Sequence, residues 1–471
     1  MQTFLPSDSN MKQIILLIAF IFAFSITSFA QVYNDATLRS VTAQDKSSRD
    51  ASGKLLTLGV TEHLYRADVY MSNRNFPEAR EHWQKVLDNY PTDAAAMPRT
   101  FFGTARSYMW ERQYDKAVFW FDKLLKDYSG TKEAREGLAF KGASYVRMGK
   151  NAEAAKTYEL YIVMFPTGEK IESAFLNLID ALRETGKYDE ANLWVDKAMQ
   201  RFSEMPTATN ALHARLRMEI FRKNWVKAAQ TADELVRLRA FSGSMTSADE
   251  AFYLKGFALE KAGRKTEAIA VYSSMPDSLN SYYSGLATEK LRILSPQYIR
   301  KTASVSPNLT KTYPVMYRTE LLRHAKTKNI DPRFALAIMK QESSFRANAK
   351  SPSAARGLLQ LVFDTALKYN KKAGFPNLQP DDLYQPGVNI AIGSVYISEL
   401  KNQFSGLYEA IAASYNGGED NAARWLKRSN PKEAGIFASE VGFAETKNYV
   451  YKVMNNYRVY RELYTEDLIK K

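Results

Sequence analysis

Cysteine is absent from the 471 residues, and histidine occurs four times, as His63, His82, His213 and His324. The missing thiols remove disulfides, thiolate metal sites, iron–sulfur clusters and cysteine nucleophiles together. No two histidines stand at metal-ligand spacing, so no metal site is expected. One carboxylate is placed where it could do acid–base chemistry. Asp331-Pro332 reads as a helix start, with Asp as N-cap and Pro at the first helical position. In the helix that follows, Ala335, Ile338 and Glu342 are separated by three and four residues, which puts Glu342 on the apolar face. A carboxylate there is costly to ionise, and burial raises its pKa toward that of a general acid. The plainer reading is a helix-end glutamate that turns to solvent or pairs with Arg346.

The elements that would carry this helix begin far upstream. From about Leu56 the chain is amphipathic and helical, and one phrase recurs: NFPEA, QYDKA, KNAEA, KYDEA, NWVKA and RKTEA. They end at Ala79, Ala117, Ala154, Ala191, Ala228 and Ala268, in steps of 38, 37, 37, 37 and 40 residues. A fixed period of this size marks stacked helical hairpins. The alanine lets the second helix of each pair approach the first. Aromatics follow it at helical spacing, at Trp83, Phe121, Tyr158, Trp194 and Tyr272, as core positions. The region resembles tetratricopeptide repeats, whose usual period is about 34, and it predicts a curved surface for a partner or a substrate path. Residues 56–294 are assigned to this array. A polar stretch, 295–312, reads as a linker before a last segment, 313–471.

Upstream, Lys12, the apolar run Ile14–Phe24 and Ser28-Phe29-Ala30 stand in the order of a signal peptide, with cleavage before Gln31. Residues 1–30 are therefore expected to be an export signal, whose true start is Met11, and 31–55 a polar segment. No later stretch is apolar enough to cross a membrane, so the mature chain is expected to be periplasmic. Lysine plus arginine number 65 against 51 acidic residues, a net charge of +14. That favours a polyanionic partner. Nucleic acid is not expected, because an exported protein rarely meets it and no recognition motif is present.

Four blocks follow Gln341-Glu342-Ser343 in order. They are Ser351 to Gln360 (SPSAARGLLQ), Asn389 to Gly393 (NIAIG), Ala412 to Gly418 (AASYNGG) and Glu445 to Val450 (ETKNYV). In this order and spacing, from about Tyr313 to Tyr460, they resemble the catalytic domain of soluble lytic murein transglycosylases. The resemblance implies an all-α-dominated chain: an N-terminal superhelix of tetratricopeptide-like hairpins and a C-terminal, lysozyme-like, mostly α-helical catalytic domain. It implies that Glu342 is the single acid/base. Ser351 lines the site and Gln360 contacts sugar. Tyr415 brings its hydroxyl near the carboxylate, Asn416 orients substrate or closes its turn, and Tyr449 packs under the groove. Glu440 corresponds, one position displaced, to a second groove carboxylate. The chain departs from the family at Ala354, usually Gly, and at Leu359 and Val362, usually Met. Phe363 and Gly442 stand where the family has Pro.

Most glycosidases need two carboxylates about the scissile bond. The implied reaction needs one, because the substrate's own 2-acetamido group and 6-hydroxyl supply the rest. It cleaves the β-1,4 bond between N-acetylmuramic acid and N-acetylglucosamine, leaves a 1,6-anhydro end, and requires no cofactor. Peptidoglycan glycan strands are the implied partner, and the repeats offer a surface to other cell-wall enzymes. Two rivals stay open: a goose-type lysozyme-like muramidase, and a repeat scaffold whose C-terminal domain binds sugar without turning it over.

Overall fold

The computed structural model describes residues 35–297 and 309–471. The expected signal peptide and the middle of the expected linker lie outside the described residues. Among these residues every regular element is a helix, and extended pairing is confined to isolated bridges such as Lys350–Arg356 and Arg356–Leu361. The chain forms two compact units, one ending at Thr100 and one spanning Phe101–Lys471.

In the first unit α1 (Asp35–Ser47), α2 (Val60–Ser72) and α3 (Phe76–Asn89) share a core of Val41, Ala67, Tyr70, Ala79, Trp83 and Val86. Beside it Asp45 accepts hydrogen bonds from Arg66, Tyr70 and His82 at 2.5, 2.6 and 2.9 Å. Burial pushes the Asp45 carboxyl up, but these three donors outweigh it and hold it at about 2.

Successive helix pairs follow. They are α4 (Ala96–Trp110) with α5 (Tyr114–Asp127), α6 (Lys132–Arg147) with α7 (Asn151–Met164), and α8 (Ile171–Glu184) with α9 (Tyr188–Arg201). Then come α10 (Pro206–Phe221) with α11 (Trp225–Leu238), and α12 (Ala248–Lys261) with α13 (Lys265–Ser274). The recurring phrase has a backbone counterpart. Arg74, Arg112, Gly149, Gly186, Lys223 and Gly263 all adopt left-handed backbone, with φ between 61° and 78°. The residue after each donates its N–H to the carbonyl five positions back, as in Lys150 to Tyr145 and Lys187 to Leu182, both near 3.0 Å. This is the Schellman closure of a helix C-terminus, repeated at each hairpin. All six phrase-ending alanines are fully buried. Glycine does the same work where an aromatic crosses: a Cβ on Gly142 would lie 2.7 Å from the Tyr158 ring, and one on Gly256 2.6 Å from Tyr272.

The core does not stop at the end of the array. One hydrophobic cluster runs from Leu212 on α10 through Tyr283 on α14 (Tyr282–Leu294) into the C-terminal domain as far as Leu468. That domain contains α15 (Leu309–Thr312), α16 (Arg318–His324), α17 (Pro332–Ser343) and α18 (Phe363–Tyr369). It continues through α19 (Pro386–Gln403), α20 (Tyr408–Gly417), α21 (Glu419–Arg428), α22 (Ala434–Glu440) and α23 (Ala444–Leu463). Buried charges also cross from array to domain. Glu250 on α12, fully buried, accepts from Lys447 Nζ at 2.8 Å and Tyr451 Oη at 3.1 Å, and lies 2.9 Å from His213. A polar group this deep is tolerated only with such partners.

Candidate active site

Local sequence explains the pose of α17. The Asp331 side chain accepts from the Arg333 N–H at 2.9 Å and is held by Tyr457 Oη at 2.8 Å, with Pro332 in the first turn. Phe334 to Met339 are all buried, so the helix runs through the core. It ends abruptly because Ser344 and Phe345 both have positive φ, 49° and 66°. Glu342 therefore sits one residue from a helix C-terminus, half-buried, where the carbonyl dipoles also oppose a negative charge. Burial pushes its carboxyl up to about 7; the nearby charge of Glu445 adds to this, and a hydrogen bond from Tyr449 opposes it. Arg346 does not approach it; its Nε donates to the Ser343 carbonyl at 3.1 Å.

Tyr449, on the first turns of α23, donates from Oη to Glu342 Oε1 at 2.6 Å. Burial and the Glu342 charge hold the phenol well above its ordinary value, so it stays a donor. Tyr415 has a different partner from the one the sequence suggests. Its Oη donates to the Leu359 carbonyl at 2.7 Å, and its ring packs 5.3 Å from Tyr396, which stacks 5.2 Å from Tyr369. The Glu342 charge also raises the Tyr415 phenol, so Tyr415 stands near the carboxylate without bonding to it. Tyr449, expected to pack below, holds the carboxylate, and Tyr415 fixes the neighbouring loop.

That loop, Ser351 to Leu361, is pinned at Leu359 from three sides. Its N–H donates to Asn389 Oδ1 at 2.8 Å, its carbonyl takes the Tyr415 hydroxyl, and its side chain fills the space left by Gly393, where a Cβ would come within 2.4 Å. Asn389, fully buried, also donates to the Arg356 and Leu383 carbonyls at 3.0 and 2.8 Å. Gly357, at φ +78°, admits no other residue, since a Cβ would lie 2.0 Å from the Leu383 carbonyl. Gln360 Nε2 donates to the Ala349 and Gly357 carbonyls at 3.0 and 2.7 Å. Its side chain thus braces the loop. Ser351 Oγ accepts from the Ala355 N–H at 3.1 Å, and Asn416 Oδ1 accepts from Thr446 Oγ1 at 2.6 Å. These bonds tie the four sequence blocks to one another around Glu342.

Glu440 is not in this group. It is 1% exposed, and Arg183 grips it with both nitrogens at 2.6 and 2.7 Å while Arg217 adds a third bond at 3.1 Å. Its oxygens are spent on arginines of α8 and α10, so its reading as a groove carboxylate is corrected to a buried tie between array and domain. The sequence reasoning passed over Asn389 and Gly393 as site-builders, although both lie in a block it quoted. It also passed over the Glu250–Lys447 pair, for which no spacing signal exists across 197 residues.

Comparison with known proteins finds likeness in both parts of the chain. Residues 321–437 match the family described as Transglycosylase SLT domain, and residues 64–131 match a tetratricopeptide repeat. The chain thus joins a segment similar to tetratricopeptide repeats to one that matches the SLT domain model. Its C-terminal part is similar to the soluble lytic murein transglycosylases of Salmonella typhimurium and Escherichia coli. Each is 32% identical over 156 residues, covering 33% of this chain. The match spans 24% of each relative's length. The fold extends further than the sequence likeness. An inactive mutant of lytic transglycosylase Slt from Pseudomonas aeruginosa superposes with a TM-score of 0.51 at 15% identity, covering 96% of this chain and 89% of that one.

Proposed function

We propose that the chain is a peptidoglycan lytic transglycosylase in which Glu342 is first acid, then base. The observation that carries this reading is the Glu342 carboxyl itself, raised by burial to about 7 and held by Tyr449. A group poised near neutral pH can both give and take a proton. Protonated Glu342 donates to the glycosidic oxygen as the bond to C1 of N-acetylmuramic acid breaks. The acetamido carbonyl of that sugar supports the cationic centre. Glu342, now a carboxylate, takes the proton of the 6-hydroxyl, whose oxygen closes on C1 and leaves the anhydro end. Atoms and charge balance without water or cofactor. Ser351, Gln360, Tyr415 and Asn416 shape the groove, and Tyr449 sets the carboxylate. The +14 charge suits a substrate bearing lactyl and peptide carboxylates. The reading places the mature protein in the periplasm after removal of residues 1–30; among the described residues no helix is long and apolar enough to cross a membrane.

The test is release of soluble muropeptides by the mature chain beside Glu342→Gln. Loss of at least about a thousandfold in the variant is expected for removal of the sole acid/base. Unchanged turnover would refute the assignment.

A further inference from the structure

Helix α21 crosses the ends of successive repeats, and its contact face is read by residues four apart: Asp420, Arg424 and Arg428. At one end Asp420 meets Arg112 at 3.4 Å. At the other, Arg428 Nη1 donates to Asp180 at 2.9 Å and its Nε to Glu184. Between these complementary contacts the middle position breaks the pattern. Arg147, the last residue of α6, stands one repeat step before Glu184, the last residue of α8. Where Arg428 finds a carboxylate, the same register gives Arg424 an arginine, whose charge acts on it. Among the described residues neither Arg147 nor Arg424 has an ion-pair partner. Burial and the charges of Arg428 and Arg147 bring the Arg424 guanidinium down to about 10, against the opposing pull of Asp180 and Glu184. Both Arg424 and Arg147 also act on the buried Tyr158 phenol.

Charge counting points the same way. Arg147, Arg183, Arg217, Arg424 and Arg428 face Asp180, Glu184 and Glu440 along this seam, an excess of two positive charges. Arg428, 4% exposed, has an Nη2 with no hydrogen-bond partner. Buried donors without partners mark a place where an ion or water belongs. The seam also adjoins the groove. Helix α21 starts at Glu419, directly after Tyr415 and Asn416 across Gly417 and Gly418. Arg424 lies about 6 Å along α21 from Asp420, at about 1.5 Å per residue.

We propose that Arg147 and Arg424, beside the buried and unpartnered Nη2 of Arg428, bind a carboxylate carried by the peptide branch of a glycan held in the groove. The array would then contribute directly to substrate choice, by distinguishing strands that bear peptide acids from bare strands. Guanidinium groups suit a carboxylate because their planar donor forks match its two oxygens. The inference rests on the peptidoglycan reading above.

Two substrates separate the site from the reaction: glycan strands carrying their peptides, and the same strands stripped of peptide. Turnover of stripped strands reports the reaction alone. In Arg424→Gln and in Arg147→Gln, KM for peptide-bearing strands is expected to rise about tenfold, as for loss of one charge-assisted hydrogen bond. Stripped strands should be processed as before. Equal effects on both substrates, or none on either, would overturn the site while leaving the lyase reading intact. Failure of the unaltered protein on both substrates would instead overturn that reading and the site with it. Arg147→Glu gives a further readout that needs no turnover. It places a carboxylate of the chain's own beside Arg424, so the melting temperature should rise and the preference for peptide-bearing strands should vanish. A fall in melting temperature would contradict the proposal.

Discussion

Tyr449 Oη lies 2.6 Å from Glu342 Oε1, joining two residues 107 positions apart. The bond matters because the carboxyl is under opposing pressures. Burial and the helix C-terminus resist ionisation, and the phenol donor favours it. On the proposed reading, this balance near 7 lets one group act as acid and then as base.

Removing the phenol shifts that balance in a known direction. In Tyr449→Phe the ionised form of Glu342 loses a donor, so its pKa rises further above 7. The first step needs the protonated acid, so the alkaline limb of kcat/KM should move to higher pH. The rate at the optimum should fall about tenfold or more, because the carboxylate is less well positioned for the return proton. A pH–rate profile checks both. An unmoved alkaline limb would show that the bond does not tune Glu342.

Stability should carry the same signature. The folded-state pKa of Glu342 stands above the ordinary carboxylate value, so its contribution favours folding below about 4.5. That contribution is lost as pH rises through about 7. Glu342→Gln removes the dependence. The melting temperature of the variant relative to the parent should therefore climb between these pH values and level off above them. A constant difference across the range would argue that Glu342 is not desolvated.

Ala354 offers a test of the loop. It has φ +58°, a left-handed conformation that strains a residue with a Cβ. Ala354→Gly should stabilise the protein by about 1 kcal/mol, less the added chain entropy of glycine, with turnover retained. Chemical denaturation measures this. A destabilised variant would mean the loop owes its shape to something other than this backbone geometry.

Glu440→Ala distinguishes a structural tie from a sugar contact. The substitution leaves Arg183 and Arg217, 4% and 8% exposed, without their carboxylate. Breaking a buried pair from one side costs about 3–5 kcal/mol. A lowered melting temperature with unchanged KM on short glycans is expected. An unchanged melting temperature with a raised KM would restore Glu440 to the groove.

Much of this was legible in the amino-acid order because it is local. The six alanine phrases mark turns that recur in the backbone, down to left-handed residues such as Gly149 and Gly186. Asp331-Pro332 fixed where α17 starts, and the apolar spacing placed Glu342 toward the core. Ala354 stood out as an alanine where the resemblance implies glycine, and its positive φ supplies the physical reason. What escaped is non-local. A tyrosine's hydroxyl partner depends on which helix crosses above it, so the bond from Tyr449 to Glu342 is not legible along the chain. Glu440 is taken up by Arg183 and Arg217, which lie 257 and 223 residues away along the chain. The pairing of Arg428 with Asp180 spans 248 residues, and no pattern along the chain announces it.

On the proposed reading, one carboxylate and the substrate's own hydroxyl break the bond without water. Digestion of peptidoglycan in heavy-oxygen water, with the soluble products read by mass spectrometry, tests it most directly. Products lighter by one water than hydrolysis gives, and free of the heavy label, are expected. Labelled, hydrated reducing ends would contradict it and make the protein a muramidase.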